Sequence, residues 1–158
     1  MKRPKPAKKS DSPKGKARAQ YAALPLAREP DGSRKVMLVT SRETKRWVIP
    51  KGWPIKGLKP HDTAGREAYE EAGLVGPVRK RPIGSYTYEK RLKERQTVTC
   101  EVEVFLMKVE RRLKRWPEKK EREGRWFTLE EAAEAVDEEG LAALIRTLTT
   151  SKAAAPQG

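Results

Sequence analysis

The chain has 158 residues, a formal net charge of +14 and one cysteine, Cys100. That length suits one domain with a genuine core and cramps two, and a lone cysteine excludes an intramolecular disulfide framework, a zinc ribbon and a redox thiol pair, which points to a reducing compartment. The longest apolar runs, such as Val36–Val39 and Val104–Met107, fall far short of the ~20 residues of a membrane span, and the basic N-terminus leads into no apolar secretory core, so the sequence predicts a soluble, cytoplasmic protein with no membrane partner.

Residues 1–18 carry eight Lys or Arg and one Asp, a net +7 that leaves +7 for residues 19–158. With almost nothing apolar to bury, this segment cannot offset its ordering entropy, so a disordered basic tail is predicted. Such a tail is either a solubilising terminus or a tether to phosphate-rich partners, nucleic acid included, through counterion release. Residues 151–158 read as a second tail, which leaves 19–150 as the domain.

Within that domain, Tyr21–Leu26 and Lys35–Arg42 are strand-like, and the turn residues of Arg28–Ser33 between them predict a hairpin. Trp47–Ile49 is a short apolar run stopped by Pro50, and "KGWPIKGLKP" after it reads as a loop. Asp62 as N-cap and Gly73 as the residue past the end bracket a helix of about three turns. Ile83–Glu89 and Gln96–Val109 read as strands around the basic turn Lys90–Arg95, with Val98, Cys100, Val102 and Val104 on one face and Glu101 and Glu103 on the other. A capping box from Thr128 to Glu131 opens a helix through Val136, and Leu141, Leu144, Ile145 and Leu148 form the apolar stripe of a last helix. Strands, one helix, more strands and terminal helices predict an α+β fold whose mixed sheet is covered by helices.

On the first helix Glu67, Glu70 and Glu71 stand at i, i+3 and i+4, so their carboxylates share a face, and Arg66 can pair with Glu70. A solvated acidic face is the plain reading, since like charges at this spacing cost only about 0.2–0.5 kcal/mol per pair. The functional reading is a site for a hard cation such as Mg²⁺, which takes several oxygen ligands. Basic side chains are the natural phosphate contacts: Arg42, Arg46 and Lys51 before the helix, and Lys119, Lys120, Arg122 and Arg125 in a late loop, with Arg46, Lys51 and Arg122 favoured. Glu101 or Glu103, and Glu118, Glu121 and Glu123 of that loop, are further candidate acids, none of which stands out. Trp47, Trp53, Trp116 and Trp126 serve as packing anchors as readily as stacking platforms, His61 reads as solvated, and Cys100 as a small core residue.

The glycine, arginine and glutamate spacing resembles the box of the Nudix hydrolases, in which Gly and a later Glu precede Arg-Glu-aliphatic-x-Glu-Glu-x-Gly-aliphatic. Gly52, Arg66, Glu67, Ala68, Glu70, Glu71, Gly73 and Leu74 match it in register, while Leu58 stands where the box has its first glutamate. The runs "RWVIPKGWP" and "RWFTLEEAAEAV" look like the diphosphoinositol polyphosphate phosphohydrolase branch and its bacterial relatives. The resemblance implies a Nudix-type α/β/α sandwich. It also implies hydrolysis, dependent on Mg²⁺ or Mn²⁺, of a phosphoanhydride in a dinucleoside polyphosphate or diphosphoinositol polyphosphate. Glu67, Glu70 and Glu71 would hold the metal with the Gly52 carbonyl, Arg66 would orient them, and Glu67 or a neighbouring carboxylate would act as general base. Two other readings stay open: pyrophosphate removal from RNA 5′ ends, suggested by the basic tail, and a non-catalytic polyphosphate- or nucleotide-binding module, suggested by Leu58.

Overall fold

The structure, a computed structural model, describes residues 17–150, Thr150 without its side chain. β1 (Arg18–Arg28) and β2 (Arg34–Thr40) form the expected hairpin, antiparallel with Leu26 opposite Val36 and Arg28 opposite Arg34. Its turn is tied by Asp31, which accepts from the Ser33 amide at 2.9 Å. Past this short ladder the two strands separate, and the chain from β3 (Trp47–Val48) to β4 (Lys51–Gly52) fills the gap. β3 pairs with the end of β2, β4 pairs with the start of β1, and between them the Ala23 amide donates to the Pro50 carbonyl at 3.0 Å. Lys51 and Gly52, expected in a loop, are therefore a strand inside the sheet. Pro25, which has no amide to donate, lies in β1 between the residues paired to β4 and those paired to β2, so its missing donor breaks neither ladder.

On its other edge β1 runs parallel to β7 (Thr97–Lys108), which is antiparallel to β6 (Gly84–Arg91), and β9 (Gly124–Thr128) closes the far side of β2. The sheet is mixed, as expected. β5 (Leu74–Val75) and β8 (Arg111–Arg112) make a separate small ladder.

Alternation along the central strands sorts the core into two layers. Ala22, Leu24, Leu26, Val36, Leu38, Val102, Val104 and Leu106 face α2 (Leu129–Ala135) and α3 (Glu139–Thr150). Ala23, Met37, Val39, Phe105 and Met107 face α1 (Pro60–Ala72). Helices cover both faces of one sheet, which is the α/β/α arrangement of an α+β chain.

The helix boundaries follow local chemistry. Lys59 rather than Asp62 is the N-cap of α1, because Pro60 takes the first helical position, where its lack of an amide costs nothing, and Asp62 becomes a first-turn acid. Gly73 ends the helix in the left-handed region at φ 70°, as expected. β1 begins at Arg18, inside the segment assigned to the basic tail; the rest of that tail and residues 151–158 lie outside the described residues. β9 was not expected, because its five residues, Gly-Arg-Trp-Phe-Thr, carry only one buried side chain, Phe127.

The capping box is formed as expected: the Glu131 amide donates to Thr128 Oγ1 at 3.1 Å, and the Thr128 amide donates to Glu131 Oε1 at 3.0 Å. Removing it by Thr128→Ala is expected to lower stability by about 1 kcal/mol in urea unfolding, without loosening α1, since α2 lies on the opposite face of the sheet.

Candidate active site

α1 meets the sheet through Ala64, Ala68 and Ala72, all fully buried, and this small-residue stripe lets the helix sit close to β1 and β7. At about 100° per residue, Glu71 then falls inside the core-facing arc, Glu67 on its rim and Glu70 further round. Glu71 is 6% exposed, whereas Glu67 and Glu70 are both half-buried. The three carboxylates do not share one solvated face. Arg66 is mostly exposed and pairs outward with Glu70 at 3.8 Å, across the expected four-residue spacing.

Gly52 explains the position of Glu67. β4 holds Gly52 opposite Tyr21 of β1, directly under α1, and any β-carbon at position 52 would occupy the space of the Glu67 carboxylate. The missing side chain is what lets the Glu67 carboxylate occupy this position. Glu67 in turn lies beside Glu71, one turn further along α1. Arg122 lies 3.6 Å from the Glu71 carboxylate, donates to Glu118 at 2.7 Å and donates to the Thr40 carbonyl at 3.1 Å. The loop carrying Arg122 is fixed to the end of α1, with the Leu113 amide on the Gly73 carbonyl and the Glu118 amide on the Glu70 carbonyl.

One guanidinium among these carboxylates undercompensates them. Burial, with help from Glu70, pushes Glu67 up to about 7, although Glu71 beside it opposes the shift. Burial pushes Glu71 up to about 8 against the pull of Arg122 and Lys51. Burial also pushes the Lys51 ammonium down, while Glu71 and Glu138 resist.

Beside this cluster opens a cleft of 490 Å³ with Glu71 in its wall. Six cations line it, Arg42, Arg46, Lys51, Lys90, Arg91 and Arg122, against three acids, Glu43, Glu71 and Glu89. Lys51 also lies 5.0 Å from the ring centre of Tyr88, whose hydroxyl donates to Gln20 at 2.8 Å.

The structure thus brings Gly52, Glu67, Glu71, Lys51 and Arg122 together. Arg46 lines the same cleft, but its guanidinium is held by Glu138 at 3.1 Å and Asp137 at 3.4 Å, before and at the mouth of α3. Of the late-loop acids only Glu118 joins the cluster; Glu121 pairs with Arg42 and Glu123 with Arg125. Its i,i+4 spacing to Arg122 was the signal available in the sequence. Glu103 stands in the row Gly52, Tyr21, Glu103, Ser85 across the sheet, two strands from Gly52, and Glu101 accepts from Ser85. Lys90 and Arg91, read as turn residues, are at the end of β6 and in the cleft. Arg125 instead stacks on Trp47, which packs edge-on against Phe127, while Trp53 lies under Arg18 and Trp116 against Gly73. Leu58 is half-buried, its amide closing a turn onto the Ile55 carbonyl.

No three His, Cys, Asp or Glu side chains are gathered at metal-binding spacing among the described residues, and Arg122 stands between Glu71 and Glu118. The donor chemistry nevertheless fits a hard divalent cation. Glu67, Glu70, Glu71 and Glu118 offer only oxygen, Gly52 leaves room for the Glu67 carboxylate, and the raised proton affinities of Glu67 and Glu71 mark a place that favours added positive charge.

A family model described as NUDIX domain matches residues 5–148. The chain belongs to the Nudix domain family. Among curated relatives, Nudix hydrolase 12, mitochondrial, of Arabidopsis thaliana is 35% identical over 103 residues, 63% of this chain and 51% of the relative. Diphosphoinositol polyphosphate phosphohydrolase 3-alpha of Mus musculus is 33% identical over 101 residues, 62% of this chain and 57% of the relative. The chain spans about half the length of these curated relatives. A C. elegans Ap4A hydrolase binary complex superposes with a TM-score of 0.63 at 18% identity, covering 84% of this chain and 96% of that one, which establishes the Nudix fold. Among the described residues no helix is long and apolar enough to cross a membrane.

Two expected outcomes test this geometry. Glu67 and Glu71 bind protons more tightly folded than at their ordinary value of 4.5, so the metal-free Nudix domain should lose stability as pH rises from about 5 to 7.5. Unfolding in EDTA measures that slope, and saturating Mg²⁺ should flatten it by competing with the protons. Gly52→Ala should displace the Glu67 carboxylate and weaken Mg²⁺ binding by at least about 10-fold, the scale of a disturbed metal environment, as read by titration calorimetry.

Proposed function

We propose that this Nudix domain is a Mg²⁺-dependent hydrolase that cleaves a phosphoanhydride bond in a small polyphosphorylated molecule, a dinucleoside polyphosphate or a diphosphoinositol polyphosphate. The observation that carries the reading is the adjacency of two opposite charge environments. An undercompensated carboxylate cluster on α1 shares Glu71 with a cleft lined by six cations. A polyphosphate needs both: cations along its chain, and a cation site at the bond that breaks.

Glu67, Glu70, Glu71 and Glu118 are the side chains that would hold the metal, with the Gly52 backbone beside Glu67. The bound cation supplies charge neutralisation at the phosphoryl oxygens and a more acidic water. Lys51, Lys90 and Arg91 engage the phosphates distant from the cleaved bond, which fixes the substrate against the α1 end of the cleft. Arg122 bridges the two environments, one nitrogen on Glu118 and another beside Glu71. Glu67, with a proton affinity near neutrality, is suited to accept the proton of the attacking water. The similarity to proteins named as a diphosphoinositol polyphosphate phosphohydrolase and an Ap4A hydrolase supports the same substrate class.

The test is a comparison of kcat/KM, at one ionic strength and with Mg²⁺, for diadenosine polyphosphates, an inositol pyrophosphate, nucleoside triphosphates and a 5′-triphosphorylated RNA. A long polyphosphate is expected to be preferred, because a triphosphate reaches fewer of the cleft cations, and EDTA should abolish turnover. A best rate on the RNA or on a mononucleotide would overturn the substrate reading. Glu71→Gln is expected to lower kcat by about 10²–10³-fold, the scale of losing one preorganised charge at the reacting group. Lys90→Ala with Arg91→Ala is expected to act mainly through KM.

A further inference from the structure

The proposed metal site draws its residues from two segments, α1 and the loop of residues 113–123, and the loop has no regular secondary structure of its own to place Glu118 and Arg122. What places Glu118 is contact with the C-terminal end of α1, while Arg122 is held in addition by the end of β2, through its bond to the Thr40 carbonyl. A helix leaves its last carbonyls unpaired, and this loop, with Arg112 of β8 just before it, takes them. Arg112 Nε donates to the Ala72 carbonyl at 3.1 Å, the Leu113 amide to Gly73 at 2.7 Å, and the Glu118 amide to Glu70 at 3.0 Å.

Trp116 sits at the centre of that contact. Its indole fills the hollow above Gly73, where any β-carbon would run into ring atoms Cδ2 and Cε3. Gly73 therefore serves twice: its φ of 70° ends the helix, and its missing side chain admits the ring. Arg112 lies 4.7 Å and Lys119 5.2 Å from the ring centre, and the ammonium of Lys119 is held by the Lys114 carbonyl. The indole Nε1 is buried without a hydrogen-bond partner among the described residues. A buried unpaired donor is a cost, so the ring is held there by its shape and its face.

We propose that Trp116 is the positioning residue of the metal site: seated on Gly73, it locks residues 113–123 to α1 and thereby sets Glu118 and Arg122 against Glu71. The seating stands on the contacts above, while its consequence for metal binding rests on the proposed function. Glu118 is two residues beyond the ring and Arg122 six, and their mutual bond of 2.7 Å and the 3.6 Å approach of Arg122 to Glu71 lock the far end of the same loop. Without the ring, the loop keeps its charges but loses the surface that holds their register.

Two measurements on the full chain decide the matter. Hydrogen exchange reads the seating: in Trp116→Ala the Glu118 and Leu113 amides should exchange at least about 10-fold faster, with the amides of β1 and β7 unchanged. Mn²⁺ titration calorimetry reads the consequence: Trp116→Ala should bind about 10–100-fold more weakly, the range for loss of an outer support, and Trp116→Phe, which keeps a six-membered aromatic ring and loses the pyrrole half of the indole with its unpaired donor, should bind within about 3-fold of the parent. Glu118→Gln added to Trp116→Ala should weaken binding no further, because the acid has already lost its place. If Trp116→Ala does not fold, Trp116→Leu, which retains apolar volume but not the ring, carries the same comparison. Unchanged Glu118 exchange, unchanged Mn²⁺ affinity in the folded variant, or equal weakening by Phe and by Ala would overturn the proposal. A parent protein that binds no Mn²⁺ would overturn the proposed function and the metal role together, while the exchange experiment would still decide the seating.

Discussion

The close approach of α1 to the sheet is the constraint from which the site follows. Three alanines one turn apart, Ala64, Ala68 and Ala72, are the apolar side chains α1 buries against the sheet, beside the buried Thr63 and Glu71, so the axis lies near the sheet and leaves little room between the layers. A carboxylate on the rim of that contact must then find space in the sheet itself. Gly52 supplies it, and Gly52 is in the sheet only because β1 and β2 part after three residue pairs and admit the chain between β3 and β4. Hairpin divergence, a wedged strand, a glycine and a glutamate form one dependent series.

That geometry has an electrostatic cost. Glu71 is nearly as buried as the alanines around it, and Glu67 is half-buried in contact with it, which an isolated fold would avoid. Arg122 offsets part of that cost, and the remainder, burial first and carboxylate repulsion second, appears as carboxyls that hold their protons near neutral pH. Strain of this kind, kept at one place in an otherwise well-satisfied fold, is characteristic of sites that await a charged partner. The cleft shows the complementary imbalance, six cations against three acids. Lys51 and Arg122 belong to both environments, so the positive and negative halves of the site are mechanically as well as electrostatically joined.

The loop of residues 113–123 divides its charges by reach. Glu121 and Glu123 pair with Arg42 and Arg125 at the surface, whereas Glu118, its amide held on Glu70, turns inward. The three acids are alike in composition and close in sequence. Their different fates are set by one docking contact with the end of α1, not by any property of the acids themselves.

Elements governed by neighbours in the sequence were legible in it. The hairpin, the period-two faces of β7, the capping box at Thr128, the left-handed Gly73 and the apolar stripe of α3 each depend on residues within a few positions of one another. The Gly52, Arg66, Glu67, Glu70, Glu71 and Gly73 spacing was legible for the same reason, and it identified the family before any coordinate. Only tertiary structure decided what those residues meet. Periodicity places Glu67, Glu70 and Glu71 on one side of a helix but does not say how far the helix rolls toward the sheet, and that roll, set by the alanine stripe, buries Glu71 and exposes Arg66. Likewise, nothing local tells Lys51–Gly52 to be a strand, Glu118 to join α1, or Lys90 and Arg91 to face the same cleft as Arg122. Those placements are pairings between segments tens of residues apart, and they are fixed by packing and hydrogen bonding that exist only once the chain has folded.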